Sequence, residues 1–95
     1  MNVFFIGIKG SGMTSLASIV SDLGHNVLGS DVEEQFFTEF KLINKGIKIV
    51  NFDPEHITSD LDIIVLGNAF NEEHKQVLKA KELGLNVVTY FDYLN

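Results

Sequence analysis

The chain has 95 residues, no cysteine and a formal net charge of −6. That length holds one domain, and the lack of cysteine removes disulfides, thiolate metal sites and cysteine nucleophiles together. An acidic surface repels nucleic acid and anionic membranes, so neither is an expected partner.

Hydrophobic residues make up 45% of the chain and charged residues 21%, the balance of a packed domain rather than a disordered one. No apolar run reaches the ~18 residues of a membrane-spanning helix. Met1-Asn2-Val3 leads into an apolar run without a basic stretch, which argues against a signal peptide.

Val3 to Ile6 is a short β-branched and aromatic run that reads as a buried strand. Gly7-Ile8-Lys9-Gly10-Ser11-Gly12 follows as a glycine-rich turn. Met13, Leu16, Ala17, Ile19, Val20 and Leu23 then recur at helical spacing, and Gly24 stops that helix. Asn26 to Gly29 is a second strand, ending at Ser30-Asp31, and Val32 to Gln35 is an acidic connector. Phe37, Phe40, Leu42 and Ile43 predict a shorter helix closed by Gly46.

Ile47 to Val50 alternates and reads as a partly exposed third strand, with a turn at Asp53 to His56. Ile63 to Leu66 is wholly apolar, as a central parallel strand should be. Gly67-Asn68-Ala69 leaves it. Glu72 to Leu83 predicts a third helix with Val77, Leu78 and Leu83 inward and Gly84 beyond its end. Val87 to Thr89 is the fifth strand, and Tyr90 to Asn95 begins a last short segment. Strands alternating with helices imply right-handed crossovers and a parallel sheet. The expected fold is a Rossmann-like three-layer α/β/α domain whose five-stranded parallel sheet has the order 3-2-1-4-5.

In such sheets a ligand binds beyond the carboxyl ends of the strands, where the strand order reverses. The glycine loop, Ser30-Asp31 and Gly67 to Ala69 all fall on that rim. Unpaired amides and the helix dipole at the loop suit a phosphate or diphosphate, and Ser11 adds a hydroxyl. Lys9 stands at the middle glycine of a G-x-G-x-x-G dinucleotide fingerprint, which disfavours an NAD(P) site, the alternative ligand class. Lys9 either brings charge to a phosphate or is a solvated loop lysine. Asp31 has the position of a ribose-binding carboxylate, or of a turn-capping one.

The three histidines, His25, His56 and His74, are scattered and predict no metal site. No G-x-x-x-x-G-K-[ST] motif for ATP occurs. A receiver-type regulatory domain fits poorly, because only Asn51 and Asp53 stand near the end of the third strand.

Phe5 to Met13, together with Leu23 to Asp31, resembles the N-terminal domain of the Mur ligase family. Within the family the likeness is greatest to the branch that joins L-alanine to UDP-N-acetylmuramate. Gly67-Asn68-Ala69 also resembles the murein-tripeptide recycling branch. The likeness spans essentially the whole chain and implies a cytoplasmic enzyme of peptidoglycan synthesis built of three domains. In that family the muramyl carboxylate is activated as an acyl phosphate, which an amine then attacks. The resemblance makes residues 1–95 the UDP-substrate domain, with no cofactor of its own. ATP and Mg²⁺ belong to a central domain, and a C-terminal domain helps bind the amino acid. Neither partner domain is in this chain, which is expected to bind UDP-N-acetylmuramate without catalysing.

By position, the resemblance assigns Gly10, Ser11, Gly12 and Met13 to the diphosphate, with Lys9 beside them. It assigns Ser30 and Asp31 to the uridine, and Asn68, Ala69 and Phe70 to the uracil side. Lys9 departs from the family's usual glycine, Val50 to Asp53 lacks a histidine common there, and Thr89-Tyr90 stands in place of an arginine pair.

Overall fold

Five parallel strands, hydrogen-bonded in the order β3-β2-β1-β4-β5, form the frame of the computed structural model, which describes residues 1–34 and 37–95. The strands are β1 (Asn2–Ile6), β2 (Asn26–Ser30), β3 (Lys48–Val50), β4 (Ile63–Leu66) and β5 (Asn86–Thr89). Helices α1 (Ser11–Asp22), α2 (Glu39–Asn44), α3 (Lys75–Glu82) and α4 (Tyr90–Leu94) connect or follow them, and a 3₁₀ turn at Pro54–His56 lies between β3 and β4. The expected order and layering hold. Gln35, the end of the expected acidic connector, lies outside the described residues.

Alternation along β1 builds the three layers. Val3 and Phe5 point to one face, where they pack with Met13, Leu16, Ala17 and Val20 of α1 and Leu42 of α2. Phe4 and Ile6 point to the other, against Ile57, Leu61 and Val77 and Ala80 of α3. All four β1 side chains are fully buried, so this central strand anchors both cores. Each such side chain contributes ~1.5–3 kcal/mol relative to exposure.

The helices are shorter or differently turned than their apolar spacing predicts. α3 begins at Lys75 rather than Glu72, because the His74 imidazole caps it by accepting from Gln76 N at 3.1 Å. Val77 is buried as expected, but Leu78 and Leu83 are exposed, and their inward places go to Gln76 and Ala80. In α1, Ile19 and Leu23 are likewise exposed. α2 buries only Glu39 and Leu42, while Phe37, Phe40 and Ile43 face outward. A two-layer contact buries one narrow stripe of a short helix, so an apolar residue off that stripe stays outside.

Candidate functional site

The rim above the carboxyl ends of β1, β2 and β4 is shaped by how the glycine loop leaves β1. Gly7 N and Ile8 N both donate to Ser30 O, at 2.9 and 3.1 Å, so the loop is zipped to the end of β2. Gly7 takes φ +85°, and a Cβ there would lie 2.6 Å from the Phe70 ring. Backbone conformation and a close aromatic neighbour both require glycine at this position. The loop then delivers Gly10 as the N-cap of α1, with no side chain capping it. The first intrahelical donor is Thr14 N, 2.7 Å from Gly10 O. The amides of Ser11, Gly12 and Met13 therefore open onto the rim, at the positive end of the helix dipole.

Two hollows meet over this helix end, sharing Gly7, Gly10, Ser11, Ala69 and Phe70. The first, about 210 Å³, adds Gly12, Met13, Gly67, Asn68 and Tyr90. The second, about 560 Å³, adds Asp31, Val32, Phe37 and Thr38, with Lys9 at its floor. A third hollow of about 640 Å³ lies across the Asp31–Val32 ridge. It carries Glu33, Glu34 and Asp53 against one cation, Lys75, so it disfavours a phosphate. The first two make one groove, with peptide amides at one end and apolar walls at the other.

Most of the residues named from the sequence converge here. Gly10, Ser11, Gly12 and Met13 line the first hollow with Asn68, Ala69 and Phe70. Asp31 reaches the second. Its Oδ2 accepts from Lys9 N at 2.9 Å and its Oδ1 from Val32 N at 2.8 Å, so it clamps the glycine loop to the connector. Each carboxylate oxygen keeps a second lone pair for a ligand hydroxyl.

Two assignments are corrected. Ser30 does not face a ligand: its side chain is fully buried, and its Oγ donates to Gln76 Oε1 at 2.5 Å. Gln76 Nε2 in turn donates to Asp53 O at 2.9 Å and Asn51 O at 3.3 Å. The pair is a buried polar tie under the rim, joining β2, α3 and the turn after β3. Lys9 is not a solvated loop residue, and its ammonium is engaged within the protein. Its side chain is 5% exposed, and its Nζ donates to Val32 O and Glu34 O at 2.8 Å each and lies 3.6 Å from Glu39 Oε2. Its charge is turned into the protein, beneath the second hollow.

Several residues at the rim escaped the sequence reading. Tyr90, noted in the sequence only as standing where the family has an arginine pair, enters the first hollow from the start of α4, so close that a Cβ on Gly12 would lie 2.6 Å from its hydroxyl. Its place directly after a strand end was the available signal. Thr38, whose hydroxyl donates to Lys9 O at 2.5 Å, and Gln76 had no signal in motif or spacing. Phe52, Phe70 and His74 form a cluster of three rings with centroids 4.7–5.3 Å apart. Burial, and secondarily the Lys75 charge, lower the His74 pKa below its ordinary 6.5. Its Nδ1 is thus kept as the acceptor that caps α3. Among the described residues, no three His, Cys, Asp or Glu side chains group as metal ligands. Among the described residues, no helix is long and apolar enough to cross a membrane.

Residues 2–95 match the family model described as Mur ligase family, catalytic domain. Among solved structures, the chain is similar to a murein peptide ligase from Psychrobacter arcticus, with 28% identity and a TM-score of 0.89 over 99% of this chain. It is similar to the UDP-N-acetylmuramate:L-alanyl-γ-D-glutamyl-meso-diaminopimelate ligase from Neisseria meningitides, with 27% identity and a TM-score of 0.87 over 98%. It is similar too to the UDP-N-acetylmuramate–alanine ligase of Thermotoga maritima, with 25% identity and a TM-score of 0.87 over 99%. The chain spans 20%, 29% and 22% of those three proteins respectively.

Proposed function

This chain belongs to the Mur ligase family, and from that premise we propose that its rim groove holds the UDP end of UDP-N-acetylmuramate. The ligand would be presented to a cytoplasmic, ATP-dependent ligase that adds L-alanine in peptidoglycan synthesis. The observation that carries this reading is the uncapped N-terminus of α1 opening onto the groove. A diphosphate supplies the acceptors that the Ser11, Gly12 and Met13 amides lack, and its charge suits the helix dipole. The Ser11 hydroxyl adds a donor. The nucleoside occupies the second hollow, between Val32 and Phe37 on one side and Ala69 and Phe70 on the other, with Asp31 accepting from the ribose. Asn68 offers its amide at the entrance.

ATP and Mg²⁺ chemistry is assigned to other parts of a full-length ligase. The glycine loop lacks the Lys-Ser/Thr pair of an ATP-binding P-loop, and its lysine is turned away from the groove. Activation of the muramyl carboxylate and attack by the amine thus fall to residues outside this chain, whose part is to hold the nucleotide end of the substrate.

Titration followed by amide NMR tests the reading. UDP and UDP-N-acetylmuramate should shift Gly10 to Met13 and Asp31, with dissociation constants on the order of 0.1–10 mM, roughly 3–5 kcal/mol. NAD offered at equal concentration should shift them less. A preference for NAD would replace this reading with that of a dinucleotide-binding module.

A further inference from the structure

We propose that Lys9 is a positioning residue that sets the nucleoside-facing wall of the groove by tying the segment from Asp31 to Glu34, and Thr38 with Glu39, onto the glycine loop. This rests on the nucleotide reading above and assigns a determinant of its affinity.

The backbone and side-chain polar groups of Lys9 all engage these described residues. Its N–H donates to Asp31 Oδ2 at 2.9 Å, and its carbonyl accepts from Thr38 Oγ1 at 2.5 Å. Its ammonium donates to Val32 O and Glu34 O at 2.8 Å each and stands 3.6 Å from Glu39 Oε2. Burying an ammonium costs several kcal/mol unless hydrogen bonds and an opposite charge offset it. Here two carbonyls and a buried carboxylate do so, and the tie they form is specific in position.

What the tie holds in place is a ligand wall. Val32, Phe37 and Thr38 face Ala69 and Phe70 across the second hollow. These three residues lie between the end of β2 at Ser30 and the start of α2 at Glu39, outside the sheet and helix hydrogen-bond ladders. The spacing between the two walls therefore rests on the ties to Lys9 together with the bond from Asp31 N to Val50 O at 3.1 Å. Because the ammonium points into the segment, it adds no contact to the diphosphate. Its influence falls on the nucleoside through the fraction of molecules whose wall is correctly placed.

The test compares uridine and UDP on the wild-type chain and Lys9→Met by amide NMR, at 0.05 and 0.5 M NaCl. The variant should lose about tenfold in affinity for both ligands. The UDP-to-uridine affinity ratio should stay unchanged, and the loss should be the same at both salt concentrations. Thr38→Val, which removes one tie and no charge, should lose about threefold for both. This second variant decides the matter if Lys9→Met does not fold. A loss confined to UDP and shrinking with salt would instead make the ammonium a phosphate ligand, and overturn the proposal. Unchanged affinities in a folded Lys9→Met or in Thr38→Val overturn it as well. If the wild-type chain binds neither uridine nor UDP, the nucleotide reading itself falls, and the proposal with it.

Discussion

The buried tie between Ser30 and Gln76 gives a prediction whose magnitude follows from the hydrogen bonds. Gln76 is fully buried, and its amide makes three contacts: it accepts from Ser30 Oγ and donates to Asn51 O and Asp53 O. Gln76→Met keeps the side-chain length and removes all three. The Ser30 hydroxyl is fully buried, so it would be stranded at a cost of ~1–3 kcal/mol. Asn51 and Asp53 are exposed residues, so their carbonyls recover water and lose only ~0.5–1 kcal/mol each. The methionine thioether returns about 1 kcal/mol of apolar burial. The sum is a destabilisation of about 1–4 kcal/mol, against a total of roughly 5–14 kcal/mol for a domain of this length. At ~4–8 °C per kcal/mol, Tm should fall by about 4–32 °C. Urea unfolding of Gln76→Met, Ser30→Ala and the double variant measures the effect. Stranding is relieved when both partners go, so the double variant should be at least ~1 kcal/mol more stable than additivity gives. Strict additivity, or a single-variant loss below ~0.5 kcal/mol, would show that the tie is not the coupled unit described.

Other outcomes follow from the same geometry. Asp31→Ala should weaken uridine and UDP alike by ~1–3 kcal/mol, because in the proposed complex the carboxylate accepts from the ribose while it holds the loop; titration of the two ligands reads it. Gly7→Ala should cost at least ~1–2 kcal/mol in urea unfolding, from left-handed backbone strain alone, with displacement of Phe70 added. The His74 pKa is lowered in the folded chain, by burial first and Lys75 second. The unfolded chain therefore takes up the proton first, and the stability this group contributes is complete above about 6.5 and declines as pH falls below it. Denaturation between pH 7 and 5 should show that loss, and His74→Asn, which caps without titrating, should show less. Incubation with ATP, UDP-N-acetylmuramate and L-alanine should release no phosphate, since this chain carries no ATP motif.

The fold was legible in the sequence because its signals are local. Ile63 to Leu66 is apolar on both faces only if both faces are covered, which places β4 in the middle of a parallel sheet. Gly24, Gly46 and Gly84 each close a helix and take positive φ. Helix faces were less legible, since Ile19, Leu78 and Phe40 have the right spacing for burial and the wrong azimuth. At the site, the glycine loop, Asp31 and Gly67 to Phe70 could be placed because the rim of the sheet collects strand ends. Lys9 and Ser30 were placed at the correct end of the sheet, but their side chains point inward. The direction of a side chain depends on partners distant in sequence: Glu39 and the Val32 and Glu34 carbonyls for Lys9, Gln76 for Ser30. No spacing rule along one chain segment encodes those partners.

An acidic domain is an unpromising receptor for a diphosphate, and the geometry indicates how the conflict is resolved. The net charge is −6, but at 0.15 M salt charges farther than ~8 Å are largely screened. What remains is local. Lys9 is the only cation among the described residues lining the two joined hollows, and its charge is matched by Glu39 and two carbonyls. The next cation, Lys41, is exposed on α2 in a neighbouring hollow that Ser11 also borders. On the proposed reading, attraction for the phosphates comes from fixed dipoles, the amides of Ser11 to Met13 and the α1 axis. At contact distance, bulk salt screens such dipoles weakly, while it relaxes the long-range repulsion from the acidic surface. The two effects set a sign. Raising NaCl from 0.05 to 0.5 M should leave UDP affinity within about twofold, or increase it. Lys41→Ala should leave that dependence unaltered. Calorimetry or NMR titration across the salt series measures it. A fall of tenfold or more would mean that a side-chain cation reaches the phosphates after all, and Lys41→Ala would then identify whether it is this one.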